Sequence, residues 1–281
     1  PTRLFVSPDR DLAYIPLAVI LPDDWEIVWE PSATVYDLLA ERRHRRGVGI
    51  LGLGDPDYGS APDPDALTTR GGPRLVALPG TRLEIEAITK TSEDRRLLSA
   101  EATERGLRGA LTARIDDRSW QSVHLACHGL VDVELPALSC LAITPGDGED
   151  GFLSAGEILR LPIRADLAVL SACQTGRGKF VRGEGVMSLT RAFMYSGASR
   201  VIVSLWDVDD EATALLMETF YRHWKAGRGT AEALRLAQLA VRDHEVEEVV
   251  ADPGATSTPK TRRPWAEPRY WAAWVLWGLP D

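Results

Sequence analysis

Two residues that could form a nucleophile and its base each stand at the end of a short apolar segment. His128 follows the run Val123 to Cys127, and Cys173 follows the run Leu167 to Ala172. Short apolar runs bounded by polar or glycine-containing turns are typical of buried strands in a parallel sheet, where chemistry collects beyond the carboxyl ends of the strands. A thiolate is a strong nucleophile, and an adjacent imidazole removes the thiol proton or stabilises the thiolate. The sequence therefore predicts a His128–Cys173 pair at one edge of a sheet.

Each member of this pair has a competing interpretation. His124 lies four residues before His128, and residues four apart on a strand face the same side, so periodicity does not separate the two. Position does, because His124 lies inside the apolar run, where a hydrogen-bonded core histidine is the usual outcome. Cys173 could also be a small buried side chain. The following turn, Gln174 to Gly176, favours the nucleophile because it would expose the sulfur.

A metal site is a further alternative for these residues. Cys127, His128 and Cys173 could act as ligands, but structural zinc sites usually show paired Cys or His spacings, and a fourth ligand is missing. Cys127 is expected to point to the opposite face from His128, into the sheet packing, and Cys140 is also interpreted as a core residue. The sequence therefore predicts neither a metal nor a cofactor.

Further short motifs follow in a fixed order along the chain. After His128-Gly129 and the segment Leu170 to Gly176 come Gly183-Glu184-Gly185, Ser196-Gly197-Ala198, Ser204 to Asp210 and Trp271 to Gly278. This ordered set resembles the CHAT domain, a caspase-like module found with TPR repeats and related to separase. Caspases proper carry Gln-Ala-Cys-x-Gly with a histidine about 50 residues upstream. Here the leading Gln is absent and the Gly comes one position later, so the resemblance is to the wider caspase-like clan.

The resemblance implies a fold and a set of roles. It implies an α/β fold, a caspase-like three-layer sandwich with a mostly parallel central sheet flanked by helices, and the alternation of strands and helices agrees with it. It also implies a cysteine endopeptidase in which Cys173 is the nucleophile and His128 the base. The backbone amides of Gly129 and Cys173 would form the oxyanion hole, which stabilises negative charge on the attacked carbonyl oxygen.

A substrate pocket is predicted around the segment Trp206 to Asp210. The segment is similar to the Leu-Trp-Asp-Val-x-Asp segment of separase, which contributes to a pocket for an arginine at the cleaved bond. A carboxylate at a pocket floor selects a cationic side chain through a charge-assisted hydrogen bond. The candidate substrate-binding residues are therefore Asp207, Asp210 and Glu184, and cleavage after a basic residue is expected. Alternatively, an Asp in this segment caps the following helix.

Two other functions stay open from the sequence. One is a non-catalytic caspase-like domain that acts as an interaction scaffold, and the other is a thiol hydrolase acting on a non-peptide amide or ester. The presence of both His128 and Cys173 argues against the scaffold. The basic stretch Arg177 to Arg182, which continues to Gly185, directly follows the nucleophile and is a candidate gating loop that is cut or reordered on activation.

The catalytic strands need further elements around them. Residues 1–75 are predicted as the N-terminal part of the fold and a candidate pseudo-protease subdomain, and residues 76–281 as the catalytic core, with a polar Pro- and Gly-rich loop between them. Besides the two catalytic strands, the predicted strands are Leu4 to Val6, Tyr14 to Leu21, Glu26 to Trp29, Gly47 to Leu53, Ser139 to Thr144, Arg200 to Leu205 and Trp271 to Trp277. The predicted helices are Ser32 to Arg42, Leu83 to Ile88, Ala102 to Ala113, Ser154 to Leu159, Glu184 to Tyr195, Asp210 to Trp224 and Thr230 to His244. Ala251 to Pro264 is predicted as a connector.

Composition limits the partners. A net charge of −9 disfavours direct binding to nucleic acid, which depends on basic side chains at the phosphates. The longest apolar runs are too short to span a bilayer, and no signal peptide is evident, so no membrane partner is predicted. An odd, small set of 3 cysteines favours a reducing, cytoplasmic location. The expected partners are a protein or peptide substrate and TPR repeats or an activator outside this chain, which starts without Met and is expected to be part of a longer protein.

Overall fold

The computed structural model describes residues 2–41, 47–59, 75–114, 119–132, 135–174, 184–249 and 259–281. Ten strands of this part of the chain form one sheet, and two more form a hairpin. The strands are β1 (Thr2–Val6), β2 (Trp25–Trp29), β3 (Ile50–Pro56), β4 (Arg95–Ser99), β5 (Trp120–Leu130), β6 (Cys140–Ala142), β7 (Phe152–Ser154), β8 (Ala165–Gln174), β9 (Arg200–Ser204), β10 (Val246–Val249), β11 (Pro259–Arg262) and β12 (Trp274–Gly278). The helices are α1 (Leu17–Ile20), α2 (Ala33–Glu41), α3 (Pro79–Ile88), α4 (Glu104–Thr112), α5 (Ala155–Ile158), α6 (Glu184–Ser196), α7 (Asp210–Lys225), α8 (Thr230–Arg242) and α9 (Pro268–Trp271).

The large sheet is mostly parallel. Its order is β1-β2-β12-β9-β8-β5-β3-β4, with β6 beside β5 and β7 beside β6. Strands β9, β8, β5, β3 and β4 run parallel to one another, whereas β12 runs antiparallel to β9 and β6 antiparallel to β5. The carboxyl ends of β5 and β8 therefore lie at the same edge, in the middle of the sheet, which is where open parallel sheets hold their chemistry.

Helices cover both faces of the sheet, which makes a three-layer α/β sandwich. Successive side chains of a strand point to opposite faces. On β5, Leu125 and Cys127 pack in the layer of α4, α5 and α6, whereas Ala126 packs in the layer of α3, α7 and α8. Full burial of one large apolar side chain such as Leu125 stabilises the fold by about 1.5–3 kcal/mol, so the two layers hold β5 rigidly from both sides.

Single residues fix where several helices begin. Ser32 Oγ accepts a hydrogen bond from the Val35 amide at 3.2 Å at the start of α2. Ser154 and Glu157 form a reciprocal capping box around α5, which satisfies two backbone amides that have no partner within the helix. The short capped helix predicted near residues 154–159 is thereby confirmed.

Two predicted segments are wrong or incomplete, and edge strand β4 was not predicted. Tyr14 to Leu21 is not a strand: a 3-10 turn over Arg10–Tyr14 leads into α1, because Pro16, which donates no backbone hydrogen bond, starts a helix. Strand β4 was missed because its arginine-rich start hides the apolar alternation of this edge strand. The predicted connector contains β11, which pairs with β10, and its residues 251–258 lie outside the described part.

The predicted division at residue 75 is crossed by one sheet. Strands β1, β2 and β3 precede it, and the other strands of the large sheet follow it. Whether the two parts differ in origin or role stays a prediction. No helix in the described part of the chain has both the length and the apolar character that a bilayer crossing requires.

Candidate active site

His128 and Cys173 lie side by side at the ends of two neighbouring strands. β5 and β8 pair in parallel from Trp120 with Ala165 onwards, and His128 is the register partner of Cys173. Paired strands lie about 4.7–4.9 Å apart, so the two backbones are close enough for a thiol–imidazole contact. The structure describes the strand position of Cys173 but not its side chain.

The strand alternation places both positions on the same face. Position 173 continues the series of Leu167, Val169 and Ser171, and position 128 continues the series of His124 and Ala126. Among these, the apolar members belong to the core formed with α3, α7 and α8. The same helical layer therefore lies behind the pair.

The two ring nitrogens of His128 differ in their hydrogen bonding. The side chain is 3% exposed, and its Nε2 lies 2.8 Å from the backbone oxygen of Val76. Because a carbonyl oxygen only accepts, Nε2 carries the proton of a neutral ring, and Nδ1 keeps its lone pair. Nδ1 is buried and has no hydrogen-bond partner among the described residues. This tautomer suits a base that receives a proton at Nδ1.

Tyr58 holds the backbone of His128. β5 leaves β3 after Leu125 and pairs with β6 from His128 onwards. At this change of partner, the Tyr58 hydroxyl donates to the Ala142 oxygen at 3.1 Å and accepts from the His128 amide at 3.2 Å. Burial raises the pKa of the Tyr58 hydroxyl, so it remains a donor. Its ring also lies 5.3 Å from the imidazole of His128.

His124 belongs to a closed polar network inside the protein. Its Nε2 lies 2.9 Å from Glu84 Oε1, and its Nδ1 lies 3.1 Å from the Tyr221 hydroxyl. Tyr221 also contacts Ser122 Oγ at 2.8 Å, and Ser171 Oγ donates to Glu84 Oε2 at 3.1 Å. The expectation of a satisfied core histidine at position 124 is confirmed.

Asp207 and Asp210 lie beside the pair on the loop that follows β9 and on the first turn of α7. Both are exposed residues. Partial burial of the carboxyl raises the pKa of Asp207, and a positive charge on protonated His128 opposes that rise. For Asp210, burial and the charges of Asp209 and Glu84 raise the pKa, again opposed by His128. Both carboxyl groups therefore lie within electrostatic reach of the imidazole.

The helix cap in this segment is a different aspartate. Asp209 is the N-cap of α7, where its Oδ1 accepts from the Ala212 amide at 3.0 Å. Asp210 packs instead against the start of α3, since a Cβ on Gly80 would lie 3.0 Å from its Oδ2. Capping therefore does not account for Asp207 or Asp210.

The other predicted residues are placed as follows. Gly129 is buried and is the register partner of Gln174 on β8. Glu184 is the first residue of α6, but its side chain lies outside the described residues, as does the predicted gating loop up to residue 183. Cys127 and Cys140 are buried core residues, as expected.

Three contributors to this site were missed from the sequence. Tyr58 and Val76 come from the segments on either side of the polar loop, and Glu84 comes from α3. Glu84 carried the only available signal, because it lies on the apolar face of α3 between positions that pack into the core. Val76 acts through its backbone oxygen, which no side-chain pattern encodes.

A family model of the CHAT domain matches residues 1–279. The chain belongs to the CHAT domain family. Tetratricopeptide repeat protein 28 of Homo sapiens is 37% identical over 90 residues, which cover 31% of this chain and 4% of that protein. The Mus musculus protein of the same name is 36% identical over 90 residues. The chain thus spans only a small part of these curated relatives.

Solved structures share the fold of this CHAT domain. Separase in the Saccharomyces cerevisiae separase–securin complex aligns with a TM-score of 0.53 and 14% identity, over 95% of this chain and 15% of that chain. The Arg specific cysteine proteinase gingipain R aligns with a TM-score of 0.55 and 12% identity, over 99% of this chain and 63% of that chain. The CHAT domain therefore has a caspase-like protease fold, and the predicted fold class is confirmed.

Proposed function

We propose that this CHAT domain is a cysteine endopeptidase that cleaves a protein substrate through an acyl-enzyme. The observation that carries the proposal is the register pairing of His128 with Cys173 at the carboxyl ends of adjacent parallel strands. Nδ1 of His128 supports it further, since this nitrogen has no hydrogen-bond partner in the described part of the chain and the other ring nitrogen is bonded to the Val76 oxygen.

The proposed reaction proceeds in two halves. Nδ1 of His128 accepts the thiol proton while the sulfur of Cys173 bonds to the peptide carbonyl carbon, and the C=O π electrons move onto oxygen. The backbone amides of Gly129 and Cys173 stabilise this oxyanion. Its collapse restores the carbonyl and breaks the C–N bond, and His128 protonates the leaving amine. Water, deprotonated by His128, then attacks the thioester carbon, and the C=O π electrons move onto oxygen. When the carbonyl re-forms, the C–S bond breaks, His128 returns its proton to the sulfur of Cys173, and the carboxylic acid leaves.

The acidic groups beside His128 support a preference for a basic residue before the cleaved bond. Asp207 and Asp210 would bind the cationic side chain, with Glu184 as a third candidate. Arginine specificity is stated in the name of gingipain R, which shares the fold, and its transfer to this chain is part of the proposal.

The partner and location belong to the same proposal. The likeness to tetratricopeptide repeat protein 28 supports TPR repeats, or another activating partner, outside this chain. The small number of cysteines supports a reducing, cytoplasmic compartment. The segment 177–185 would then be the gating loop on which an activator acts.

An unbiased peptide-cleavage profile tests the proposal. The wild-type protein is expected to cut peptides mainly after Arg or Lys, and Cys173→Ala is expected to abolish cutting with an unchanged fold. Cleavage that persists in Cys173→Ala would reject the nucleophile. Absence of peptide cleavage together with turnover of thioesters or non-peptide amides would favour the alternative hydrolase, and absence of both would favour a scaffold.

A further inference from the structure

We propose that Glu84 is a positioning residue for the His128–Cys173 pair. It would hold α3 against both catalytic strands and so keep the Val76 oxygen on Nε2 of His128. The inference rests on the proposed function in that it takes His128 as the base. Glu84 itself touches neither member of the pair among the described contacts.

One carboxylate joins the two catalytic strands. Glu84 Oε1 lies 2.9 Å from Nε2 of His124 on β5, and Glu84 Oε2 accepts from Ser171 Oγ on β8 at 3.1 Å. His124 precedes the predicted base by four residues, and Ser171 precedes the predicted nucleophile by two. The bridge therefore lies on the same sheet face, directly beneath the two reacting positions.

The network around this bridge is complete. The Tyr221 hydroxyl bonds to Nδ1 of His124, and Ser122 Oγ bonds to Tyr221. With Nε2 of His124 donating to Glu84 and the Tyr221 hydroxyl donating to Nδ1, every shared proton has one donor and one acceptor. Buried networks that are fully satisfied are rigid, since each member fixes the orientation of the next.

Helix α3 connects this network to the base. Val76 lies shortly before the first residue of α3, and the entry to the helix is fixed by Thr81, whose Oγ1 donates to the Leu78 oxygen at 2.7 Å and accepts from the Asp55 amide at 2.8 Å. The helix also lies close on β3, because a Cβ on Gly54 would lie 2.7 Å from the Ile85 side chain. A displacement of α3 would therefore displace the acceptor of His128.

A purely stabilising role would be better filled by an apolar residue. Ile85 and Ile88 on the same helix pack into the core, whereas Glu84 is a carboxylate that is only 4% exposed. Replacing buried charged groups by well-packed apolar side chains is often neutral or stabilising. The orientation that Glu84 imposes on both strands and on α3 therefore accounts for a carboxylate at this position better than stability does.

The test compares Glu84→Gln with Glu86→Gln, a matched control on the exposed side of the same helix. Nitrogen NMR of the labelled histidine rings reports the tautomer of His128 without any need for turnover. The wild-type protein and Glu86→Gln are expected to show the Nε2–H form alone. Glu84→Gln is expected to show a mixture of tautomers and a kcat lower by roughly 10–100-fold, the effect of losing a charged hydrogen bond, with KM changed little.

The outcomes separate this inference from the proposed function. An unchanged His128 tautomer and kcat in a folded Glu84→Gln protein would overturn the positioning role while leaving the peptidase intact. If Glu84→Gln changes the tautomer of His128 while the wild-type protein cleaves no peptide, the positioning role is supported and the peptidase is rejected. Should Glu84→Gln fail to fold, Ser171→Ala, which removes one donor to the carboxylate, decides in its place by the same tautomer signal.

Discussion

Two histidines four residues apart on β5 have opposite surroundings. His124 is 0% exposed and has a partner at both ring nitrogens, whereas His128 is 3% exposed and its Nδ1 has no hydrogen-bond partner among the described residues. A buried polar atom without a partner costs about 1–3 kcal/mol. The two histidines therefore differ in how far their hydrogen-bonding capacity is filled within the described part of the chain. This difference supports the role proposed for His128.

The same contrast applies to the buried acids. Glu84 uses both oxygens in hydrogen bonds, but both oxygens of Glu104, at the start of α4, are buried without a hydrogen-bond partner among the described residues. Burial, with the charges of Glu157, Glu149 and Asp150, raises the pKa of Glu104 to about 7. Its position in the layer opposite α3 separates it from the proposed site.

The sharpest way to break the comparison is to exchange each histidine for glutamine. His128→Gln is expected to lower kcat/KM by about 10²–10⁴-fold, the usual contribution of a general base, with little change in the free energy of unfolding. His124→Gln is expected to destabilise the fold by about 2–3 kcal/mol because it leaves buried partners unpaired, with a smaller loss of activity. Peptide assays and urea unfolding measure the two effects. A His124→Gln protein of normal stability that has lost all activity would reverse the assignment.

The acidic residues beside His128 are expected to affect specificity more than stability. Asp207→Asn should lower kcat/KM for peptides with Arg at the cleaved bond by roughly 10–100-fold, since a charge-assisted hydrogen bond is lost. Because its pKa is raised, Asp207 takes up a proton at a higher pH than an ordinary aspartate does. As the pH falls, the preference for Arg should therefore begin to weaken at that higher pH. Asp209→Asn, which keeps a good helix cap, is the control. Equal losses for Arg and apolar peptides would contradict a specificity role.

Tyr58→Phe sharpens the comparison at the backbone of His128. It removes the hydroxyl that links the His128 amide to the Ala142 oxygen and keeps the ring. The expected loss of stability is about 1–2 kcal/mol, with a several-fold lower kcat because the imidazole is less well held. Thermal unfolding and peptide kinetics measure both, and Tyr36→Phe, on α2, is the matched control. A stability loss without any change in kcat would make Tyr58 purely structural.

The smallest expected effect is a change in the pH dependence of stability. Glu104 has a folded-state pKa of about 7 against an ordinary value of 4.5. Between these values the folded state binds more protons than the unfolded state, so stability falls as the pH rises through this window. Glu104→Gln should be more stable than wild type by about 1–2 kcal/mol at neutral to mildly alkaline pH and equal at acidic pH. Urea unfolding at both pH values measures this, and equal stability throughout would disprove the raised pKa.

The sequence predicts this site as far as its signals are local. His128 and Cys173 were found because each ends its own apolar run. The helices that begin at Ser32 and Ser154 could be predicted because a capping residue and the amide that it binds lie within four residues of each other. Tyr58, Val76 and Glu84 contact their histidine partners across 70, 52 and 40 residues of sequence. Such contacts depend on how distant segments pack, and one of them is made by a backbone oxygen. A residue pattern can therefore show that Glu84 lies on an apolar helix face, but it does not identify the partner of any of the three.

The register between the strands has the same limit. Apolar runs identify β5 and β8, but the pairing of His128 with Cys173, and not with a neighbour one residue away, follows from packing on both faces of the sheet. The edge strand β4 shows the converse, because it is held mainly by β3 and 2 of its 5 residues are charged.

Covalent labelling by a peptidyl electrophile that ends in Arg, read by intact-protein mass spectrometry, tests whether the His128 imidazole activates the Cys173 thiol. We expect one adduct per chain, located on Cys173, formed rapidly by wild type and by Glu86→Gln, slowly by His128→Gln, and not at all by Cys173→Ala. An adduct on another residue, or labelling of Cys173 at the same rate with and without His128, would contradict a thiol activated by that imidazole.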